Sequence, residues 1–414
     1  MRGLTSRQQR NDAFVFQFVA FLMALSSIHV FKNYEPTWIG RTGYITFPLL
    51  FVWFHFIRNY TLRPEAKVYC LAIFVGFTLH ILANSAEKAT DFRGILFMRL
   101  LPAYMLSMVP YLRRPIHFIR CFVVLFYVVE CLISVYERLE MTHVITYSDD
   151  LIEGFLNTTS QDRFRSTSLM FHPLYNANVV SIAMAFILCS PQIKVLYKWV
   201  LFALGLAALW GFNSRGVLII WAIILLYRFT LYQAQWWKVI ASLVVLYFML
   251  PLLIDWLLVS NLLGRLGTFD LSDESTATRL IALDVFLNQR WNIENLLIGG
   301  RVIYYPRSTI SLENGVLLDL GYWGILLGTI KIICEILLSF CALRHLELRA
   351  KLIIMMATWG VAVMNNNSFN TWPLAIFTLF FITFSPFEQA AERAEFLPAG
   401  TASESQDEQI ALSV

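Results

Sequence analysis

Residues 117–136 read HFIRCFVVLFYVVECLISVY, and this run decides the fold. Beyond Arg120 only Glu130 carries a charge. A helix rises about 1.5 Å per residue, so some twenty apolar residues cross a hydrocarbon layer roughly 30 Å thick. The apolar positions are continuous rather than alternating, which fits a helix and excludes the strand of a membrane barrel.

The run is one of many. Across 414 residues, 58% are hydrophobic and 14% charged, with mean hydropathy +0.61. Soluble domains sit nearer 45–50% apolar and about 25% charged. Helical spans are expected at about 14–31, 42–57, 67–84, 94–112, 117–136, 172–190, 194–212, 217–233, 237–260, 312–343, 351–366 and 370–386. The chain therefore reads as an all-α polytopic membrane protein with about twelve transmembrane helices. The tenth run is long enough to be tilted, broken or extended into water.

Basic residues orient these spans. Arg2, Arg7 and Arg10 precede the first; Arg58, Arg63 and Lys67 follow the second; Arg113, Arg114 and Arg120 follow the fourth. Lys194 and Lys198, then Arg228 and Lys238, then Arg344, Arg349 and Lys351 continue the alternation. Both termini are expected in the cytoplasm. The excess of positive charge is accounted for by this bias and gives no reason to expect nucleic acid as a partner.

The opposite face carries two long loops, about 137–171 and 261–311, with short amphipathic runs such as Ile281–Asn288. Loops beyond about 15 residues are usually functional or disordered. Residues 1–386 form the expected membrane domain, and the polar, small-residue-rich stretch 387–414 reads as a disordered cytoplasmic tail. The first span reads as retained, not as a cleaved signal. The six cysteines fall in or beside helices, so no disulfide framework and no metal spacing follows.

Polar motifs concentrate on the outer face. Asn213-Ser214-Arg215-Gly216 joins the seventh and eighth helices. Arg215 can snorkel to lipid headgroups, or its planar, permanently charged fork can grip a phosphate in two-pronged fashion. Arg99 lies inside the fourth helix, where a charge marks a site or an internal pair, with Glu130 or Asp255 as possible partners. Arg279 opens an amphipathic run, and Arg290, Arg301 and Arg307 follow it. Asp270, Asp273 and Glu274 make the same loop mixed in charge. Glu313-Asn314 begins the tenth helix, where Glu313 either stabilises the helix terminus or serves as a general base. Phe171-His172-Pro173 and Asn176 open the sixth helix, and His172 either titrates near neutrality or is a hydrogen-bonded interface residue.

Taken together these elements resemble the O-antigen polymerase and O-antigen ligase superfamily of bacterial envelope glycosyltransferases. The resemblance rests on Asn213-Ser214-Arg215-Gly216, on His172-Pro173 with Asn176, and on Arg279 ahead of a run ending in Leu296-Leu297-Ile298-Gly299-Gly300. It also rests on Glu313-Asn314-Gly315-Val316-Leu317-Leu318 with Gly321 and Gly324 following. It covers roughly Phe171 to Gly324. It implies an inverting, metal-independent and cofactor-free transfer of a glycan from an undecaprenyl-pyrophosphate carrier at the periplasmic face of the bacterial inner membrane. The ligases carry a His before the Asn or Ser at the tenth-helix start, where this chain has Glu313. That departure favours the polymerase, which joins carrier-linked repeat units in O-antigen or a related surface polysaccharide. A chain-length regulator is a possible partner.

On this reading Glu313, Arg215 and Arg279 are the expected catalytic residues. Arg99, His172, Asn176, Asn213, Arg290, Arg301 and Asn314 are expected to bind substrate. The competing reading is a ligase acting on lipid A–core. A transporter or flippase would instead show charges at the membrane centre, broken helices and repeat symmetry. The concentration of polar groups at one face argues against it.

Overall fold

Every regular element described is helical, as the continuous apolar runs require. The computed structural model of the chain describes residues 6–27, 43–84, 99–112, 117–145, 164–228, 284, 286–288, 293–297, 315–364 and 373–384. The helices are α1 (Ser6–Ser27), α2 (Gly43–Phe51, continued by a π-helical turn, Val52–Ile57), α3 (Pro64–Asn84), α4 (Leu101–Met108) and α5 (His117–Glu140). Then come α6 (Pro173–Cys189), α7 (Val195–Gly211), α8 (Arg215–Leu226) and the short α9 (Ile293–Leu297). They are followed by α10 (Gly315–Trp323), α11 (Ile325–Ala342), α12 (Leu348–Met355), α13 (Val361–Met364) and α14 (Pro373–Phe384). Proline opens α3, α6 and α14, in the first turn, where its missing N–H costs no intrahelical hydrogen bond.

The centre of the bundle is α6 and α14. Each is buried on every side and mostly apolar, and a helix of that kind needs partners all round. All of α14 is buried, and only Tyr175 and Cys189 of α6 are not. α4, α5, α7, α8 and α12 pack around this pair.

α5 is built the other way round from a helix of a water-soluble domain. Glu130, Ser134 and Glu137 are buried, while Phe118, Leu125 and Leu132 are more than half exposed. Its buried edge lies against α7 along Gly205, Ala208 and Gly211. Ser134 Oγ donates to the Ala208 carbonyl at 3.0 Å, and Tyr127 to the Leu201 carbonyl at 2.7 Å. A Cβ at Gly211 would stand 2.7 Å from the Ser134 carbonyl oxygen, so only glycine admits this approach. Small residues at a helix crossing are how membrane helices bring their backbones together.

Two helical stretches, His117–Glu140 and Ile325–His345, are long and apolar enough to cross a membrane. Pro173–Cys189, Val195–Gly211, Arg215–Leu226 and Pro373–Phe384 are apolar but shorter. The described helices thus support the helical class and two crossing helices; they do not carry the count of twelve. The ninth expected span, 237–260, and the 387–414 tail lie outside the described residues. In the second long loop Asp284 and Phe286–Asn288 are helical, with Asn288 bonded to Asp284 one turn back at 2.7 Å.

The tenth run is broken. Gly324 has φ 82° and ψ 159°, backbone open only to glycine, and it separates α10 from α11. The two helices pack against each other, and a Cβ at Gly328 would stand 3.1 Å from Leu320 Cα.

Candidate functional site

Of the residues expected in a site, Glu313, Arg279, Arg290, Arg301 and Asn314 lie outside the described residues. The other five fall in two separate places. Arg99 belongs to one; His172, Asn176, Asn213 and Arg215 belong to the other.

The second group is organised by α5. Its end carries Glu137, whose buried carboxylate gathers the segment 164–170. It accepts the Ser166 hydroxyl at 2.5 Å, the Thr167 and Ser168 N–H groups at 3.0 and 3.1 Å, and the Val144 N–H at 2.9 Å. Arg138 donates to the Phe164 carbonyl at 2.7 Å and lies over the Trp210 ring at 5.3 Å. Glu130, about two turns earlier on the same helix face, accepts the Leu169 N–H at 3.1 Å. The segment is therefore a strap, held by two carboxylates and one guanidinium.

The strap holds backbone that would not adopt its shape alone. Ser168 and Phe171 both have positive φ, 36° and 64°. Non-glycine residues in such conformations cost about 1–3 kcal/mol each and persist only when neighbours enforce them. Phe171 turns the chain into His172, whose extended backbone is the one Pro173 imposes on its predecessor.

His172 caps α6. Its Nδ1 accepts the Leu174 N–H at 3.3 Å, and its ring lies 4.9 Å from that of Tyr175. His172 is thus a hydrogen-bonded cap. Asn176 donates from Nδ2 to the Thr167 carbonyl at 2.6 Å, tying α6 to the strap.

The strap also reaches α7: the Ser166 N–H donates to the Gly211 carbonyl at 3.1 Å. Just beyond, Asn213 adopts φ 51°, a conformation asparagine tolerates better than most residues. Its N–H bonds the Trp210 carbonyl at 3.0 Å, and Ser214 then starts α8. Asn213 and Ser214 are both 2% exposed, whereas Arg215, the first residue of α8, is half-buried. Ser214 holds the capping position, yet its hydroxyl makes no capping bond. Four buried oxygens in this region, Ser214 Oγ, Asn176 Oδ1, Asn178 Oδ1 and Glu130 Oε1, have no hydrogen-bond partner among the described residues.

Arg99 lies elsewhere, in a buried charge cluster. It donates to Glu335 at 2.8 Å and stands 3.7 Å from Asp319. Lys331 binds Asp319 and lies 3.7 Å from Glu335, and the Tyr69 hydroxyl donates to Glu335 at 2.8 Å. The Arg99 guanidinium also lies 5.6 Å from the Trp323 ring. All four charged side chains are at least nine-tenths buried, and their charges balance. Two sequence expectations are corrected here. Arg99 pairs with Glu335 and Asp319, not with Glu130, which serves the strap. The polar groups are not confined to one face, since a charge cluster and a broken helix both occur inside the bundle.

Sequence reading missed Glu137, Arg138, Lys331 and Glu335. Their signal was present: each is a charge within or at the edge of an apolar run, where a charge is costly and demands a partner. No family model, curated protein or solved structure matches this chain.

Proposed function

We propose that this chain is a polytopic membrane glycosyltransferase that polymerises undecaprenyl-pyrophosphate-linked oligosaccharide units at the periplasmic face of a bacterial inner membrane. In this reading about twelve helices span the bilayer and both termini are cytoplasmic.

The observation that carries it is the gathering of His172, Asn176, Asn213 and Arg215 at one end of α6, α7 and α8. That end is the one the basic-loop pattern assigns to the outside. Arg215 stands at the N-terminus of α8, where the helix dipole and its guanidinium both favour an anion. The leaving pyrophosphate needs its developing charge neutralised, and positioned cations do this without a metal. Arg279 would share the pyrophosphate, and Glu313 would take the proton of the acceptor hydroxyl. Arg290, Arg301 and Asn314 would line the same face. Arg99 drops out of the substrate set, because its guanidinium already serves two carboxylates.

One second reading has an observation of its own: the buried charge cluster beside the break at Gly324 is of the kind found in transporters. Deleting the gene and separating the envelope polysaccharide on a gel distinguishes them. A polymerase loses the ladder and keeps a single repeat on the acceptor. A ligase loses all glycan on lipid A–core, and a flippase accumulates carrier-linked units facing the cytoplasm.

A further inference from the structure

A cavity of about 440 Å³ lies not at the end that carries Arg215 but at the other end of α6, about 25 Å of helix away. That volume falls in the roughly 300–1,000 Å³ range of small-molecule sites. Its walls come from the end of α6, the start of α7, the end of α8 and the α11–α12 connection. They bring together Lys198, Arg228, Arg349, His345 and Glu347 over an aliphatic floor that includes Ile353.

Two arginines and a lysine therefore share a concave, partly apolar site with one carboxylate. Neither the Lys198 nor the Arg228 side chain forms an ion pair among the described residues. Lys198 and Arg228, both half-buried, repel each other across the cleft, and a bound anion reverses the sign of that interaction. An exposed basic loop needs no such partner, because water and salt screen it. The basic-loop pattern puts this end at the cytoplasmic membrane surface, where the anions at hand are phosphates. Arginine and lysine together suit a phosphate: one offers a two-pronged fork, the other a point charge.

We propose that this cavity binds a phosphate-bearing anion at the cytoplasmic membrane surface, with Lys198, Arg228 and Arg349 as its ligands. An anionic phospholipid headgroup and free phosphate share this chemistry. The site is independent of the glycosyltransferase reading: it uses none of those residues and lies at the other end of the helices.

The test uses the purified full-length protein and native mass spectrometry with phosphatidylglycerol, phosphatidylcholine or inorganic phosphate. A headgroup site retains phosphatidylglycerol over phosphatidylcholine. The variant Lys198→Gln/Arg228→Gln/Arg349→Gln then loses that retention about tenfold or more, equivalent to the loss of about 1.4 kcal/mol. A free-anion site instead retains inorganic phosphate and shows no preference between the lipids. A control variant, Lys194→Gln/Arg344→Gln/Lys351→Gln, removes equal charge outside the cavity and keeps binding. Should the triple variant not accumulate, Lys198→Gln and Arg228→Gln taken singly must each weaken retention. The proposal is overturned if the control loses binding as fully as the cavity variant. It is equally overturned if the wild type retains neither phosphatidylglycerol nor phosphate.

Discussion

Lys331 donates to Asp319, twelve residues earlier in the chain, and both side chains are almost wholly buried. In one unbroken helix the two would stand about 18 Å apart along the axis. They meet because the chain breaks at Gly324 and packs α10 against α11. Glu335, one turn beyond Lys331, then reaches Arg99, and four charges from three parts of the chain close on one another.

Replacing Gly324 with alanine should undo this arrangement. A Cβ is strained at φ 82°, at a cost of about 1–3 kcal/mol. The expected result is a lower thermal midpoint for the purified protein and faster proteolysis near the α10–α11 connection. An unchanged midpoint would mean that the break does not depend on glycine.

Removing one member of the charge cluster should hurt more than removing a pair. Lys331→Met leaves Asp319 with less compensation in an apolar interior, a loss of about 3–5 kcal/mol. Lys331→Met combined with Asp319→Leu removes both charges and should recover much of that loss. A double-mutant cycle in mixed micelles measures the coupling, and strictly additive losses would show that the two groups do not act as a pair.

Glu137→Gln should release the strap. The amide keeps one acceptor but loses the charge that gathers four donors around it. A hydrogen bond to a charged group contributes about 1.5–3 kcal/mol, so the destabilisation should exceed that of an ordinary surface change. Limited proteolysis between residues 164 and 172 reads the release directly, and protection equal to the wild type would argue against the carboxylate as its anchor.

Arg215→Ala should abolish polymerisation in the deletion strain while the protein still inserts and melts normally. Arg215→Lys should restore only part of the activity, because a point charge replaces a fork. Full ladder formation with alanine would reduce Arg215 to a residue that reaches for lipid headgroups.

Composition and periodicity determined what is local. Long continuous apolar runs could only be helices, and the structure has α5, α7 and α11 where those runs are. The turn Asn213-Ser214-Arg215, the cap at His172 and the helical segment around Phe286–Asn288 were also legible, because capping and turn chemistry act over a few residues. The tenth run carried its glycines in plain view, but the sequence allowed tilting, breaking or extension. Only packing against Leu320 and the charge of Asp319 decide between them.

The partners of buried charges could not be read at all. Arg99 is 236 residues from Glu335 and Tyr69 is 266 from it, and no periodicity spans such separations. In an apolar interior a charge must find its opposite wherever the chain brings one, so the tertiary fold selects the pair. The same holds for Glu137, whose partners are backbone N–H groups with no side-chain signature. The sequence by itself determined that charges in apolar helices would be few and paired. Only the tertiary structure decided that Arg99 serves an internal cluster, that Glu137 anchors a strap, and that a cavity lined by Lys198 and Arg228 opens at the end opposite Arg215.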